Sequence, residues 1–270
     1  MEIKLSTANR IAETSSKGNQ EKWQGNGRWY KLDLFGYEGL AENVASALLA
    51  KTNVEKLGFR FVSYRMERLE VHRCIRNACS SQNFLQPGES ILTLAELFRK
   101  GVGPAWQTEV GRLSNLQSKV RWMVDNVEHL TGLDRFGAYL TMLFEADMLF
   151  GNEDRHLNNI AILRRGEGFD YCPVFDFGAG VLSNIRDYPM EIEPKALLRQ
   201  LRAQPLNTTF LRQVHAAQAI YGPQLEYGFI AADIENALAE PLQFYAQRDR
   251  AYIHDRAKAC ISTQRKKMEG

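Results

Sequence analysis

The sequence predicts an α+β chain of two lobes, a small strand-rich lobe with one helix followed by a larger helical lobe containing a hairpin. Three observations predict it. The stretch RWYKLDLF alternates, with Trp29, Lys31, Asp33 and Phe35 on one side and Tyr30, Leu32 and Leu34 on the other, the period of a half-buried strand. The segment SSQNFLQPGES collects Ser, Asn, Gln, Pro and Gly near residues 80 to 90, which marks a connection between lobes. Beyond it, apolar residues recur at helical spacing for most of the remaining chain. The expected boundaries are 1–85 for the first lobe and 86–270 for the second, and 270 residues suffice to bury the core of both.

Each element follows from local pattern. In the first lobe, FRFVSY and ERLEVHRCI read as strands by their Val, Phe, Tyr and Ile content. EGLAENVASALLAKT reads as the one helix, with Leu40, Val44 and Leu48 on a stripe and Glu42 off it. In the second lobe, ILTLAELFRKG, NLQSKVRWMVDNVEHLTG and LDRFGAYLTMLFEADMLFG read as helices ending at Gly101, Gly132 and Gly151. IAILRR and YCPVFDFGAGVL are expected to be short strands, joined through a turn at GEG. PKALLRQLRA, TTFLRQVHAAQAIYG and IENALAEPLQFYAQRDRAYIHDRAKAC complete the helical part, and the basic end RKKMEG reads as a frayed, solvated terminus.

Composition selects no partner. Hydrophobic content of 44%, charged content of 24% and a net charge of +2 suit a soluble enzyme and show no nucleic-acid footprint. Four cysteines without a Cys-x-x-Cys pair point to neither zinc nor a disulfide framework, which suits a reducing cytoplasm. No apolar run is long enough for a signal peptide core or a membrane span, and no basic amphipathic segment suits an anionic membrane.

The chemistry concentrates in LFGNEDRHLNNIAIL, where a polar cluster around a histidine sits between two apolar runs. A helix ending at Gly151, a loop, a strand, a turn and a second strand ending in Asp-Phe-Gly would bring Asp154, Asn159 and Asp176 together at the mouth of a hairpin. Phosphoryl transfer from ATP needs such a set: a carboxylate to orient the attacking hydroxyl, and an amide oxygen with a second carboxylate to hold Mg²⁺ against the phosphates. Asp154 precedes Asn159 by five residues and Asp176-Phe177-Gly178 follows on the next strand, the kinase order of catalytic-loop Asp, metal-binding Asn and metal-binding Asp. Asp176 is expected to face the surface of this site and to contribute little packing.

With these residues in view, GNEDRHLNN followed by FDFG resembles the HipA-like kinases of the protein-kinase and phosphatidylinositol-kinase superfamily, and Asp-Arg-His in place of His-Arg-Asp favours that branch. The resemblance covers most of residues 12 to 182 and implies a bilobal protein-kinase-like fold in a compact form without the extra N-terminal subdomain of longer members. YKLD is similar to the strand whose lysine grips the ATP phosphates, here Lys31, with Glu42 as its ion-pair partner. AETSSKGNQEKW is similar to the phosphate-binding loop of the family, with Ser15, Ser16, Gly18, Gln20 and Lys22 at the matching places. The usual Gly-x-Gly-x-x-Gly is absent, so this loop rests on the resemblance.

The resemblance further implies a toxin-type serine/threonine-protein kinase that acts on a protein substrate such as a translation component. It implies too an antitoxin-like partner and autophosphorylation at Ser15 or Ser16. Bland readings stand beside these. Lys31 is otherwise a solvated edge charge and Glu42 a surface residue. His156 is either a core histidine that positions the loop or an assistant to the base; Arg155 and Asn158 read as loop structure. A lipid or small-molecule kinase with the same loop, and a nucleotide-sensing pseudokinase, are the alternatives.

Overall fold

The computed structural model describes residues 22–269 together with two short strands before them, β1 (Ile3–Lys4) and β2 (Arg10–Ile11). Ser15, Ser16, Gly18 and Gln20 lie outside the described residues. β3 (Lys22–Gly25) and β4 (Arg28–Leu32) form an antiparallel hairpin. Its two turn residues, Asn26 and Gly27, have φ of 52° and 71°, so this is the Asn-Gly hairpin connection that matches strand twist. The helix α1 (Glu38–Leu49) follows β4 directly, buries Leu40, Val44 and Leu48, and buries Ala41, Ala45 and Glu42 beside them.

The rest of the first sheet differs from expectation in its boundaries. FRFVSY is mostly irregular, its one bridge being Phe61–Val174 among the described residues, and the strand β5 (Tyr64–Val71) begins where it ends. ERLEVHRCI is two strands: β5 turns at His72 and Arg73, with φ of 50° and 65°, into β6 (Cys74–Gln82). The turn carries no Gly, Asn or Pro, so nothing local announces it. Strand order across the six-stranded sheet is β1-β5-β6-β4-β3-β2, with β1 and β5 parallel and all other neighbours antiparallel. β4 is thus interior, which explains why Lys31 is only 6% exposed.

The chain leaves this sheet at Gln82 and enters a second one at β7 (Glu89–Thr93). β7 occupies part of the stretch expected to open a helix. Thr93 instead caps α2 (Leu94–Gly101), its hydroxyl accepting from the Glu96 N–H at 3.2 Å, and Thr-x-x-Glu is the sequence signature of such a start. Next come α3 (Trp106–Arg112), α4 (Leu116–Thr131) and α5 (Phe136–Phe150), with Gly132 and Gly151 left-handed at the ends of the last two. α5 is the axis of the lobe: every residue from Tyr139 to Phe150 is buried, so its apolar surface is not one stripe but nearly the whole helix. Each such Leu or Phe contributes about 1.5–3 kcal/mol by burial.

β8 (Ala161–Arg165) lies between β7 and β9 (Gly168–Tyr171) in the second sheet. The ladder stops at Tyr171, so Cys172 to Gly178 is irregular chain rather than the expected strand, tied by Val174 to Arg60 and Val62. PKALLRQLRA keeps only one turn of helix, α6 (Pro194–Leu197). α7 (Phe210–Tyr221) and α8 (Ala231–Ala239) follow, then a short 3₁₀ turn at Pro241–Phe244 and α9 (Gln247–Glu269). The basic end is helical through Glu269 rather than frayed, anchored by Arg265 donating to the Phe229 carbonyl at 2.6 Å. Among the described residues no helix is long and apolar enough to cross a membrane.

Candidate active site

The cleft between the two sheets is organised by Lys31. Its ammonium lies 2.5 Å from Glu42 Oε1 on α1 and 2.6 Å from Asp176 Oδ1 after the second sheet, so one buried cation joins three separate segments. Burial opposes that charge, yet the Asp176 and Glu42 carboxylates outweigh it and hold the Lys31 pKa well above its ordinary value. Glu42 is fully buried, which rules out a surface role. Its second oxygen accepts from the Phe177 N–H at 2.8 Å, so α1 grips Asp-Phe-Gly through both ends of one carboxylate. Lys22 stands 3.9 Å from Asp176 Oδ2. Burial would raise the Asp176 pKa, but Lys31 and Lys22 pull it far below the usual carboxylate range, so the group is ionised. Asp176 has φ of 67°, a left-handed conformation that Asp tolerates better than most residues.

The polar cluster after α5 answers to a buried ion pair that the sequence does not announce. Gly151 turns the chain, and the Asn152 N–H returns to the Asp147 carbonyl at 2.8 Å. Arg155, 1% exposed, donates through Nε to both oxygens of Asp147 on α5, at 3.1 and 3.0 Å. Its Nη1 donates to the carbonyls of Asn159 at 3.0 Å and Phe175 at 2.6 Å. Asn152 completes the frame by donating to Asp147 Oδ1 at 2.7 Å and to the Asp176 carbonyl at 3.2 Å. Arg155 and Asn152 thus tie the Asp-Arg-His loop to the Asp-Phe-Gly segment, and Arg155 is a structural hub rather than a loop residue. A buried charge needs its counter-ion, so an Arg between two apolar runs was the available signal, but its partner lies eight residues back inside a helix.

This frame joins the loop of Asp154 and Asn159 to the segment of Asp176 through the Asn159, Phe175 and Asp176 carbonyls. Asn159 donates its side-chain N–H to the Asp154 carbonyl at 2.8 Å, and its Oδ1 accepts no hydrogen bond among the described residues. His156 accepts at Nδ1 from the Asn158 N–H at 3.2 Å. Burial lowers the His156 pKa, so the neutral ring carries its proton on Nε2. That atom is buried without a hydrogen-bond partner and lies 3.7 Å from Asp154 Oδ2. His156 thus ties its own loop through Nδ1, and its Nε2 faces the Asp154 carboxylate without bonding to it.

Two further contacts locate the segment after Asp-Phe-Gly. Val181 and Leu182 have φ of 49° and 60°, which is strained for a β-branched residue. The Tyr37 hydroxyl, 2.9 Å from both of their carbonyls, and Arg256 of α9, which donates to the carbonyls of Leu182, Tyr188 and Pro189, hold them there. Neither residue carries a motif, so neither was legible.

The Lys31–Glu42 pair gives a direct expectation. Alanine at either position removes the same contact, so the effects of Lys31→Ala and Glu42→Ala on stability are expected to be non-additive by about 0.5–3 kcal/mol, measured by urea unfolding of both single variants and the double variant. Additive losses would show that the two side chains act independently.

No family model matches the sequence, and no curated protein matches it. Solved structures do. The Helicobacter pylori proinflammatory kinase CtkA superposes with a TM-score of 0.65 at 16% identity, covering 97% of this chain and 95% of that one. A Shewanella oneidensis complex of the toxin–antitoxin proteins HipA and HipB with operator DNA matches with a TM-score of 0.44 at 14% identity, covering 98% of this chain and 65% of that one. The chain therefore has the bilobal kinase-like fold seen in CtkA, the fold that its likeness to HipA-like kinases implied.

Proposed function

We propose that the protein transfers the γ-phosphoryl group of ATP, bound with Mg²⁺, to a Ser or Thr hydroxyl of a protein substrate. The observation that carries this reading is the buried Lys31 ammonium held between Glu42 and Asp176, because it sets a cation and an ionised carboxylate side by side at the edge of an open cleft. That cleft has apolar walls from Trp29, Phe84, Ile91 and Phe175 and lysines 22 and 31 at one side, which suits a base against the rings and phosphates against the ammonium groups. The oxygens available to a cation are the ionised Asp176 carboxylate and the unengaged Asn159 Oδ1. One carboxylate and one amide oxygen fit Mg²⁺, which takes one or two protein oxygens and completes its shell with phosphates and water. When bound there, Mg²⁺ would neutralise phosphate charge.

The protein's own residues do the rest by position. Lys31 and Lys22 attract the phosphates. Asp154 orients the acceptor hydroxyl and takes its proton as the hydroxyl oxygen bonds to the γ-phosphorus; the bond to the bridging oxygen breaks, and its electron pair leaves with ADP. His156 Nε2, 3.7 Å from Asp154 Oδ2, faces that carboxylate and would help to keep it aimed. The likeness to HipA-like kinases supports three finer assignments: a translation component as substrate, an antitoxin-like partner, and self-inactivation by phosphate on Ser15 or Ser16. A phosphoserine there would add about −1.5 to −2 charges beside the nucleotide phosphates and repel them.

Radiolabelled ATP and Mg²⁺ presented with a cell lysate, phosphoinositides and amino sugars test the reading. Label is expected in protein, and Asp154→Asn is expected to lose about 10²- to 10⁴-fold of it. Mass spectrometry of the incubated protein is expected to find phosphate on Ser15 or Ser16 only in the active form. Label confined to a lipid or sugar would support the small-molecule reading, and nucleotide binding without turnover a pseudokinase.

A further inference from the structure

The catalytic loop has a second side. His156, Leu157 and Asn158, which lie between Asp154 and Asn159, form one wall of a pocket of about 400 Å³ that is separate from the nucleotide cleft. The opposite wall is α3, through Trp106, Val110 and Gly111. α3 has no fully buried residue and its C-terminal half faces this space, so the helix serves a surface rather than the core. Trp106 is the exception in packing, stacked 22° from parallel on Trp122 and set against Phe98, which fixes the wall in place.

Among the described residues the lining includes no Asp, Glu, Lys or Arg. A phosphorylated lipid headgroup or sugar phosphate is held by cations; this lining carries no Lys or Arg, its polar side chains besides His156 are the neutral amides of Gln107, Asn158 and Gln204, and the rest of it is apolar or glycine. An uncharged aliphatic or aromatic side chain is the occupant whose chemistry matches. The pocket's place decides which side chain. An acceptor hydroxyl delivered to Asp154 carries its own chain past the next residues of the loop, and those residues are the pocket wall.

We propose that this pocket recognises an apolar side chain flanking the phosphorylated Ser or Thr, so that the protein selects acceptor segments with a leucine, isoleucine, methionine or phenylalanine at one fixed position. The inference rests on the proposed kinase reading and deepens it by naming a specificity determinant. Gly111 gives it a direct test, because a Cβ added there meets no atom within 4 Å. Its φ is not left-handed and a larger residue favours helix, so Gly111→Leu fills the pocket without straining the backbone. Val110→Asp instead places a carboxylate on the wall.

The experiment presents ATP and Mg²⁺ with a Ser- and Thr-containing peptide library randomised at the flanking positions, with ATP consumption measured in parallel and the folding of each variant checked by thermal melting. The wild-type protein is expected to favour apolar residues at one position, by on the order of 10-fold or more in kcat/KM over Asp or Lys there. Gly111→Leu is expected to abolish that preference, and Val110→Asp to turn it toward Lys or Arg. A general loss of packing would not produce that reversal. An absence of apolar preference in an active wild-type protein overturns the inference and leaves the kinase reading standing, as does a preference that survives both variants. Failure to consume ATP or to label any peptide overturns both.

Discussion

Asp176→Asn is expected to lower phosphoryl transfer by on the order of 10³-fold or more while the protein remains folded, measured as radiolabel transferred from ATP beside a urea unfolding curve. Under the proposed function the activity loss follows because the carboxylate would be the charged oxygen donor to Mg²⁺, a source of electrostatic stabilisation. Stability needs a separate argument, since the Asp176 side chain is 14% exposed and sits between two lysines rather than facing the surface as the sequence suggested. Orphaning a buried charge costs about 3–5 kcal/mol. Here Lys31 keeps Glu42 at 2.5 Å, so the loss is expected to fall below that range. Asparagine also tolerates the left-handed backbone at this position, whereas alanine would add strain. Unchanged transfer by a folded variant would remove the metal site from the proposal.

Arg155→Met is expected to destabilise the protein by about 3–5 kcal/mol, because it strands the Asp147 carboxylate, fully buried in α5, with only Asn152 as a partner. It removes as well the two bonds that join the Asn159 and Phe175 carbonyls. The loss has a pH signature. Burial already raises the Asp147 pKa against the pull of Arg155, and deleting the guanidinium raises it further. A carboxyl whose folded pKa lies above its unfolded one holds its proton more tightly when folded, so stability falls as pH rises from the unfolded value of about 4 toward the folded one. The defect is therefore expected to be smallest in acid and to grow toward neutral pH in urea titrations. Adding Asp147→Asn should recover part of it, since no charge is then left unpaired. A pH-independent loss, or no recovery in the double variant, would show that packing of Arg155 on the Phe177 ring, 4.9 Å away, carries the effect.

Much of the site could be read from residue order because its chemistry is local in sequence. Asp154, His156 and Asn159 lie within one loop, and a helix, a loop and a strand of short length leave that loop few places to go. Asp176 follows on the returning chain, so its segment meeting that loop, through Arg155 and Asn152, was foreseeable as well. Lys31 and Glu42 were readable as a pair because one helix directly follows one strand. What stayed hidden depends on partners distant in sequence or on turns without their usual residues. The His72–Arg73 turn lacks Gly and Asn, so β5 and β6 read as one strand. β7 reads as the start of a helix because Ile91 and Leu92 fit either period until the Thr93 cap is recognised.

A strand-rich first part, a helical second part and the cores of α1, α4, α5 and α7 are properties of periodicity, and these were legible in the amino-acid sequence, whereas α3 was not and PKALLRQLRA kept a single turn. Burial and pairing are different in kind. That Lys31 is an interior cation instead of an edge charge is decided by β6 closing over β4 from far along the chain, where Lys31 faces Cys79. That Arg155 is a hub is decided by α5 presenting Asp147 to it, and that Val181 and Leu182 hold a strained backbone is decided by Tyr37 and Arg256 from opposite ends of the chain. A charge or a strained dihedral is tolerated only when several segments converge to compensate it, and such convergence exists only in three dimensions.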